Sequence, residues 1–164
     1  MNDYFEDDMT TEDGSPDLDK ALAFAKQAHA GQTRKLGVDK GKPYVIHPFR
    51  VFQLILNKGI IDGLEVIGPV ALLHDSIEDG YINGVKVTKQ TLLDAGFSKE
   101  VTDTVSALSR DKENETYFDF IMRIKKYPYA RIVKLADLED NMRDLEESSL
   151  KDKYRFAKYV LENR

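Results

Sequence analysis

Along most of this chain, apolar residues recur at intervals of three and four, the period of a helix lying on a core. Leu18, Leu22, Ala25 and Ala28 follow Ser15-Pro16-Asp17, where Ser15 is placed to cap a helix and Pro16 to fill its first turn. Gly31 marks the stop. A second helix opens at Pro48, carries Val51, Phe52, Leu54 and Ile55, and closes at Asn57-Lys58-Gly59. The spacing predicts a third from Gly68-Pro69 through Leu72-Leu73-His74-Asp75 to Asp79. Further helices are predicted over 89–95, 98–109, 116–126, 128–145 and 150–162, with Gly96, Pro128 and Ser148-Ser149 at the joints.

Two stretches break the period. Residues 32–44 contain Gly37 and Gly41 among several lysines and read as a basic loop. Within 81–88, Ile82-Asn83-Gly84-Val85 has the composition of a turn or a small hairpin. The expected class is all-α, a compact helical bundle over residues 15–164. Residues 1–14 are acidic and lack apolar periodicity, so they are expected to form a flexible tail.

Charge narrows the partners. A net charge of −5 gives no global attraction to nucleic acid or to an anionic membrane, so neither is expected as a partner. An anionic substrate would need a local patch, and Arg34, Lys35, Lys40 and Lys42 supply one. The absence of cysteine excludes disulfides, zinc-thiolate sites and cysteine nucleophiles. No apolar run approaches the roughly 20 residues that span a bilayer, and no secretory pattern opens the chain. The expected location is cytoplasmic, while oligomeric state leaves no mark in the sequence.

The chemistry lies on two helices otherwise apolar enough to be packed. At about 100° per residue, His74, Asp75, Glu78 and Asp79 fall on one side of the third helix. Buried carboxylates are costly unless paired or bound to a cation. A divalent metal resolves that cost, and a solvated acidic face is the plainer alternative. On the 128–145 helix, Lys134, Asp137 and Asn141 form a narrow polar stripe. That stripe suits metal coordination beside a phosphate, or else an ordinary Lys134–Asp137 ion pair at i,i+3. His47 before Pro48 has a nitrogen to offer a metal, whereas His29 reads as structural.

Four ordered motifs carry a resemblance: Ala28-His29-Ala30-Gly31-Gln32-Thr33-Arg34-Lys35, Tyr44-Val45-Ile46-His47-Pro48, Leu72-Leu73-His74-Asp75-Ser76-Ile77-Glu78-Asp79, and Val133-Lys134-Leu135-Ala136-Asp137 through Asn141-Met142. Together they resemble the HD-superfamily hydrolase domain of the RelA/SpoT proteins, above all the stand-alone small alarmone hydrolases. The resemblance implies an all-helical HD domain holding Mn²⁺ through His47, His74, Asp75 and Asp137. It implies that Glu78 and Asp79 position or activate the attacking water. It also implies that Arg34, Lys35, Lys134 and Asn141 bind the substrate. The implied reaction is that of a guanosine-3′,5′-bis(diphosphate) 3′-diphosphatase of the stringent response, converting ppGpp or pppGpp to GDP or GTP and pyrophosphate. No synthetase region is visible, so hydrolysis without synthesis is expected.

The sequence departs from that pattern at Leu36, in a longer loop to Tyr44, and at Leu138-Glu139-Asp140, where the family has a more basic or histidine-containing stretch. Two alternatives accompany the reading: an HD phosphohydrolase acting on another nucleotide, such as the 2′-phosphate of NADPH, and a non-catalytic nucleotide sensor.

Overall fold

The structure is a computed structural model and describes residues 16–163. The acidic segment 1–14 and the cap expected at Ser15 lie outside the described residues. Among those described, the chain runs α1 (Pro16–Ala28), α2 (Ile46–Asn57), α3 (Leu64–Leu73), α4 (Ser76–Asp79), β1 (Tyr81–Ile82), β2 (Val85–Lys86), α5 (Lys89–Asp94), α6 (Lys99–Leu108), α7 (Tyr117–Ile124), α8 (Pro128–Met142) and α9 (Ser149–Glu162). The all-α expectation holds, with one two-stranded hairpin added.

Helix α3 is the axle of the bundle. Every residue from Val66 to Leu73 is buried, so beyond its first turn this helix has no solvent face and must be enclosed. α1, α2, α6 and α8 enclose it. Gly68 allows α1 to come close: a Cβ there would lie 2.5 Å from Leu18 Cδ2. The core continues through Val51 and Ile55 of α2, Val105 of α6, Val133 and Leu138 of α8, and Leu161 of α9.

α7 and α8 stop at Ile124 and Met142, short of the expected 126 and 145, and two larger departures each have a local reason. α2 begins at Ile46, which puts Pro48 at its third position; a first-turn N–H has no intrahelical partner, so proline costs nothing there. The helix expected over 68–79 is instead two. α3 starts earlier, at Leu64, with Pro69 inside it, and stops at Leu73. His74 Nδ1 donates to Ala71 O at 2.8 Å, the carbonyl that would otherwise receive the Asp75 N–H of a continuing helix. Asp75 then sits at φ −95°, ψ −3°, and α4 restarts from Ser76.

The hairpin after α4 is set by Asn83 and Gly84, both at positive φ (51° and 77°), the type I′ geometry that an Asn-Gly pair favours. It pairs Tyr81 with Lys86 and Ile82 with Val85. The loop from 32 to 44 folds back on itself. Thr33 bridges Pro43, and Arg34 N–H donates to Lys42 O at 2.9 Å.

Candidate functional site

Three parts of the helical framework meet at one place: the start of α2, the α3–α4 junction and the middle of the unbroken α8. They bring together His47, His74, Asp75 and Asp137. Both histidine rings are oriented by what their Nδ1 atoms touch. His47 Nδ1 donates to Asp140 Oδ2 at 2.6 Å, and His74 Nδ1 donates to Ala71 O. A carbonyl or carboxylate oxygen only accepts, so Nδ1 carries a proton in each ring, while Nε2 is turned towards the common point, that of His47 within hydrogen-bond distance of Asp137 Oδ1.

The distances around that point are those between neighbouring metal ligands. His47 Nε2 lies 3.0 Å from Asp137 Oδ1 and 3.7 Å from Asp75 Oδ2. His74 Nε2 lies 3.1 Å from Asp75 Oδ2 and 3.5 Å from Asp137 Oδ1. Bonds of about 2.1 Å to one ion separate adjacent donors by about 3.0 Å in an octahedron and about 3.4 Å in a tetrahedron. His74 Nε2 is buried and aligned with neither carboxylate for a hydrogen bond. That orphaned nitrogen beside two carboxylate oxygens fits a divalent cation. His47, His74 and Asp137 thus form a buried group able to hold a metal.

Electrostatics point the same way. Burial pushes the His74 pKa down, but the carboxylates of Asp75 and Asp137 outweigh it and hold the ring well above its ordinary value. Burial likewise raises Asp75 and Asp137, yet His74 draws the first below the carboxylate range and Lys134 the second. The pocket is built for positive charge among carboxylates. Lys134 Nζ donates to Asp137 Oδ2 and Asn141 Nδ2 to Asp137 Oδ1, each at 2.7 Å. The i,i+3 pair weighed from the sequence is therefore present, and the polar stripe of α8 closes on its own aspartate.

Glu78 and Asp79 extend the acidic group beyond Asp75. Their carboxylates face Lys112 Nζ at 3.4 and 3.9 Å. Burial raises the Glu78 pKa, Lys112 opposes it, and Asp75 and Asp79 reinforce the rise. The backbone of α4 is pinned from both sides: Gln32 Nε2 donates to Asp79 O at 2.8 Å, and Lys86 of the hairpin donates to Glu78 O. His29 orders Gln32 in turn, its Nδ1 donating to Gln32 Oε1 at 2.9 Å, which matches its structural reading.

A cleft of about 510 Å³ opens beside this centre. Arg34, Lys35, Tyr44, Asp79, Lys112 and Asn141 line it, together with Asp144, Leu145, Leu150 and Tyr154. Its size suits a nucleotide. Arg34 Nη2 donates to Asn141 Oδ1 at 3.0 Å, which links the cleft to Asp137 through Asn141. Of the site residues singled out from the sequence, Arg34, Lys35, Asp79 and Asn141 line the cleft; His47, His74, Asp75, Glu78, Lys134 and Asp137 do not, and the Lys134 ammonium is directed to Asp137.

Several site residues escaped sequence reasoning. Tyr44 Oη donates to Asp75 Oδ2 at 2.5 Å. Asp140 receives His47 and, from Arg50, Nε at 2.7 Å and Nη2 at 3.1 Å. Arg50 follows His47 by three positions and Asp140 follows Asp137 by three, the spacing of one helix face. That offset was the available signal. Lys112 belongs to the α6–α7 connection and left no periodic trace.

The fold and site define an HD-type helical protein with a buried histidine–aspartate centre that Tyr44 and Asn141 connect to a cleft carrying Arg34, Lys35 and Lys112. No family model matches the chain. Individual proteins do. The chain is 33% identical over 132 residues to the Danio rerio guanosine-3′,5′-bis(diphosphate) 3′-pyrophosphohydrolase MESH1, covering 77% of this chain and 67% of that one. It is also 33% identical to the Vibrio cholerae guanosine-3′,5′-bis(diphosphate) 3′-pyrophosphohydrolase, with 88% of this chain matching 20% of the other. It thus spans about a fifth of such long relatives, as it does of the Myxococcus xanthus GTP pyrophosphokinase. A solved structure described as a metazoan ortholog of SpoT that hydrolyses ppGpp superposes with a TM-score of 0.70 at 25% identity, covering 90% of this chain and 84% of the other. The chain belongs to the family of the (p)ppGpp 3′-pyrophosphohydrolases. Among the described residues, no helix is long and apolar enough to cross a membrane.

Proposed function

We propose that this chain hydrolyses the 3′-pyrophosphate of ppGpp and pppGpp, giving GDP or GTP and pyrophosphate, with Mn²⁺ held by His47, His74, Asp75 and Asp137. The observation that carries the reading is the convergence of two Nε2 atoms on two carboxylate oxygens, each nitrogen 3.0–3.7 Å from both, in a buried centre that Tyr44 and Asn141 connect to a nucleotide-sized cleft. Residues 15–164 act as one catalytic unit in this account.

When bound, a divalent cation supplies Lewis acidity towards a phosphoryl oxygen and acidifies water; nitrogen and carboxylate donors together suit Mn²⁺. The chain's own groups do the rest. Arg34 and Lys35 bring positive charge to the nucleotide's phosphates in a chain whose overall charge is negative. Asn141, bonded to both Arg34 and Asp137, sets the distance between the cleft and the reacting end. Lys134 holds Asp137 in place and keeps a cation near the ribose-phosphate end.

Hydrolysis forms a bond between a water oxygen and the phosphorus attached to O3′ and breaks the P–O3′ bond. Glu78 and Asp79 orient that water and take its proton. A raised Glu78 pKa brings its basicity closer to working pH, where a general base is most effective. The proton taken from the water is returned to the 3′-oxygen, which departs as the hydroxyl of GDP or GTP.

The test is a substrate panel of ppGpp, pppGpp, NADPH and ordinary nucleotides, each incubated with the protein and Mn²⁺. Consumption of ppGpp and pppGpp with release of pyrophosphate supports the assignment. Intact ppGpp together with loss of phosphate from NADPH would overturn the substrate.

A further inference from the structure

Behind the metal centre, on the side away from the reacting groups, a second set of charges is buried without a role in the proposed hydrolysis. Asp39 and Asp140 are 4% and 2% exposed, so their carboxylates persist only because they are paired. One guanidinium pairs both. Arg50 Nη1 lies 2.7 Å from Asp39 Oδ2, while Arg50 Nε donates to Asp140 Oδ1 at 2.7 Å. Asp140 passes the connection to His47 through its 2.6 Å contact with Nδ1. At the other end, Asp39 belongs to the folded-back loop that carries Arg34 and Lys35 into the cleft, and Arg143 and Lys42 hold the same carboxylate at 2.5 and 2.8 Å.

The line Asp39–Arg50–Asp140–His47 therefore runs from the cleft's cationic loop to an imidazole of the metal centre without passing through the cleft.

We propose that Asp140 and Asp39 are positioning residues: Asp140 fixes His47 with Nδ1 protonated and Nε2 free for a metal, and Arg50 couples that state to the order of the Arg34–Lys35 loop. The physical reason is donor arithmetic. A carboxylate at 140 only accepts, so it admits only the Nδ1–H form of a neutral ring. An amide there can present N–H to Nδ1 and select the opposite tautomer, whose Nε2 carries a proton and binds no metal. Because Arg50 is shared, loss of Asp39 also frees Arg50 to shift on Asp140. Coupling of this kind is reciprocal, so loop order and metal affinity move together.

The inference rests on the metal reading above, and the probe is Mn²⁺ alone, followed through the electron paramagnetic resonance signal of the free ion. Asp140→Asn is expected to weaken Mn²⁺ binding by about 10- to 100-fold, the usual effect of losing a partner behind a ligating histidine. Asp39→Asn, on the loop and remote from any metal donor, is expected to weaken it by about 5-fold or more. Asp144→Asn is the control. Asp144 also holds the loop, accepting from Val38 N at 2.5 Å, but has no contact with Arg50, so Mn²⁺ affinity should stay within about 2-fold of wild type. Electron spin-echo modulation of the bound ion should show two imidazole nitrogens in wild type and in Asp39→Asn, and one in Asp140→Asn. Folding of each variant is checked by circular dichroism.

Wild-type Mn²⁺ affinity in both Asp140→Asn and Asp39→Asn overturns the positioning role while leaving the metal reading intact. Equal weakening by Asp39→Asn and Asp144→Asn overturns the Arg50 route, since it assigns the effect to loop disorder in general. Wild-type protein that binds no Mn²⁺ overturns the metal reading itself, and the coupling with it.

Discussion

Replacing Lys134 by methionine separates a structural ion pair from a metal ligand. Lys134 Nζ lies 2.7 Å from Asp137 Oδ2, with the two side chains 16% and 4% exposed. Removing one member of such a pair leaves a buried charge uncompensated, which costs about 3–5 kcal/mol. Methionine refills most of the volume, and Asn141 and His47 still contact Asp137 Oδ1, so the lower end of that range, about 3 kcal/mol, applies. Loss of the ammonium over the Phe120 ring, 5.4 Å from its centroid, adds roughly 0.5 kcal/mol. In a domain of this size, each kcal/mol moves Tm by about 2–4 °C. Differential scanning calorimetry of metal-free protein should therefore show Tm lowered by roughly 7–14 °C. Saturating Mn²⁺ places a larger positive charge beside Asp137, so the deficit should shrink to about half or less. An equal deficit with and without Mn²⁺ would refute the reasoning, because Asp137 would not then be meeting the ion.

Glu78→Gln keeps the shape of the side chain and removes its basicity; turnover should fall by about 10²- to 10⁴-fold, with Mn²⁺ affinity by titration calorimetry nearly unchanged. Full activity in the metal-replete variant would dismiss Glu78 as the base. Lys112→Ala removes the charge that opposes the upward shift of Glu78. The carboxylate then becomes harder to ionise, and the acidic limb of the pH–rate profile should move to higher pH; a limb that stays or moves down contradicts the assignment. Gly68→Ala places a Cβ 2.5 Å from Leu18 Cδ2 in the α1–α3 contact. Overpacking of this kind costs about 1–3 kcal/mol, read as a lower urea midpoint with an unchanged slope.

Where single-helix periodicity governs, the sequence was informative. The Asn83-Gly84 turn and the joints at Gly96, Pro128 and Ser148-Ser149 follow from local chemistry that tertiary context did not override. The stripe of Lys134, Asp137 and Asn141 was legible for the same reason, since all three lie on one face of one helix. The junction at His74-Asp75 was not. A ring nitrogen competing for the Ala71 carbonyl depends on a rotamer, and no apolar period reports a rotamer. That break matters because it turns Asp75 towards the same point as His74. The pairing of Arg50 with Asp140 and Asp39 was hidden differently: it joins α2, α8 and a loop, and their mutual packing is set by the core rather than by any one segment. Tyr44 stood in a recognised motif, yet its contact with Asp75 appears only when the loop folds back.

The central claim is that water attacks the phosphorus on O3′ at the His47–His74–Asp75–Asp137 centre. It is tested most directly by incubating ppGpp with the protein and Mn²⁺ in ¹⁸O-labelled water and analysing both products by mass spectrometry. The account predicts GDP without label and pyrophosphate carrying one ¹⁸O, with no turnover by Asp75→Ala. Label in the nucleoside product, or ppGpp left intact by protein that has bound Mn²⁺, would contradict it.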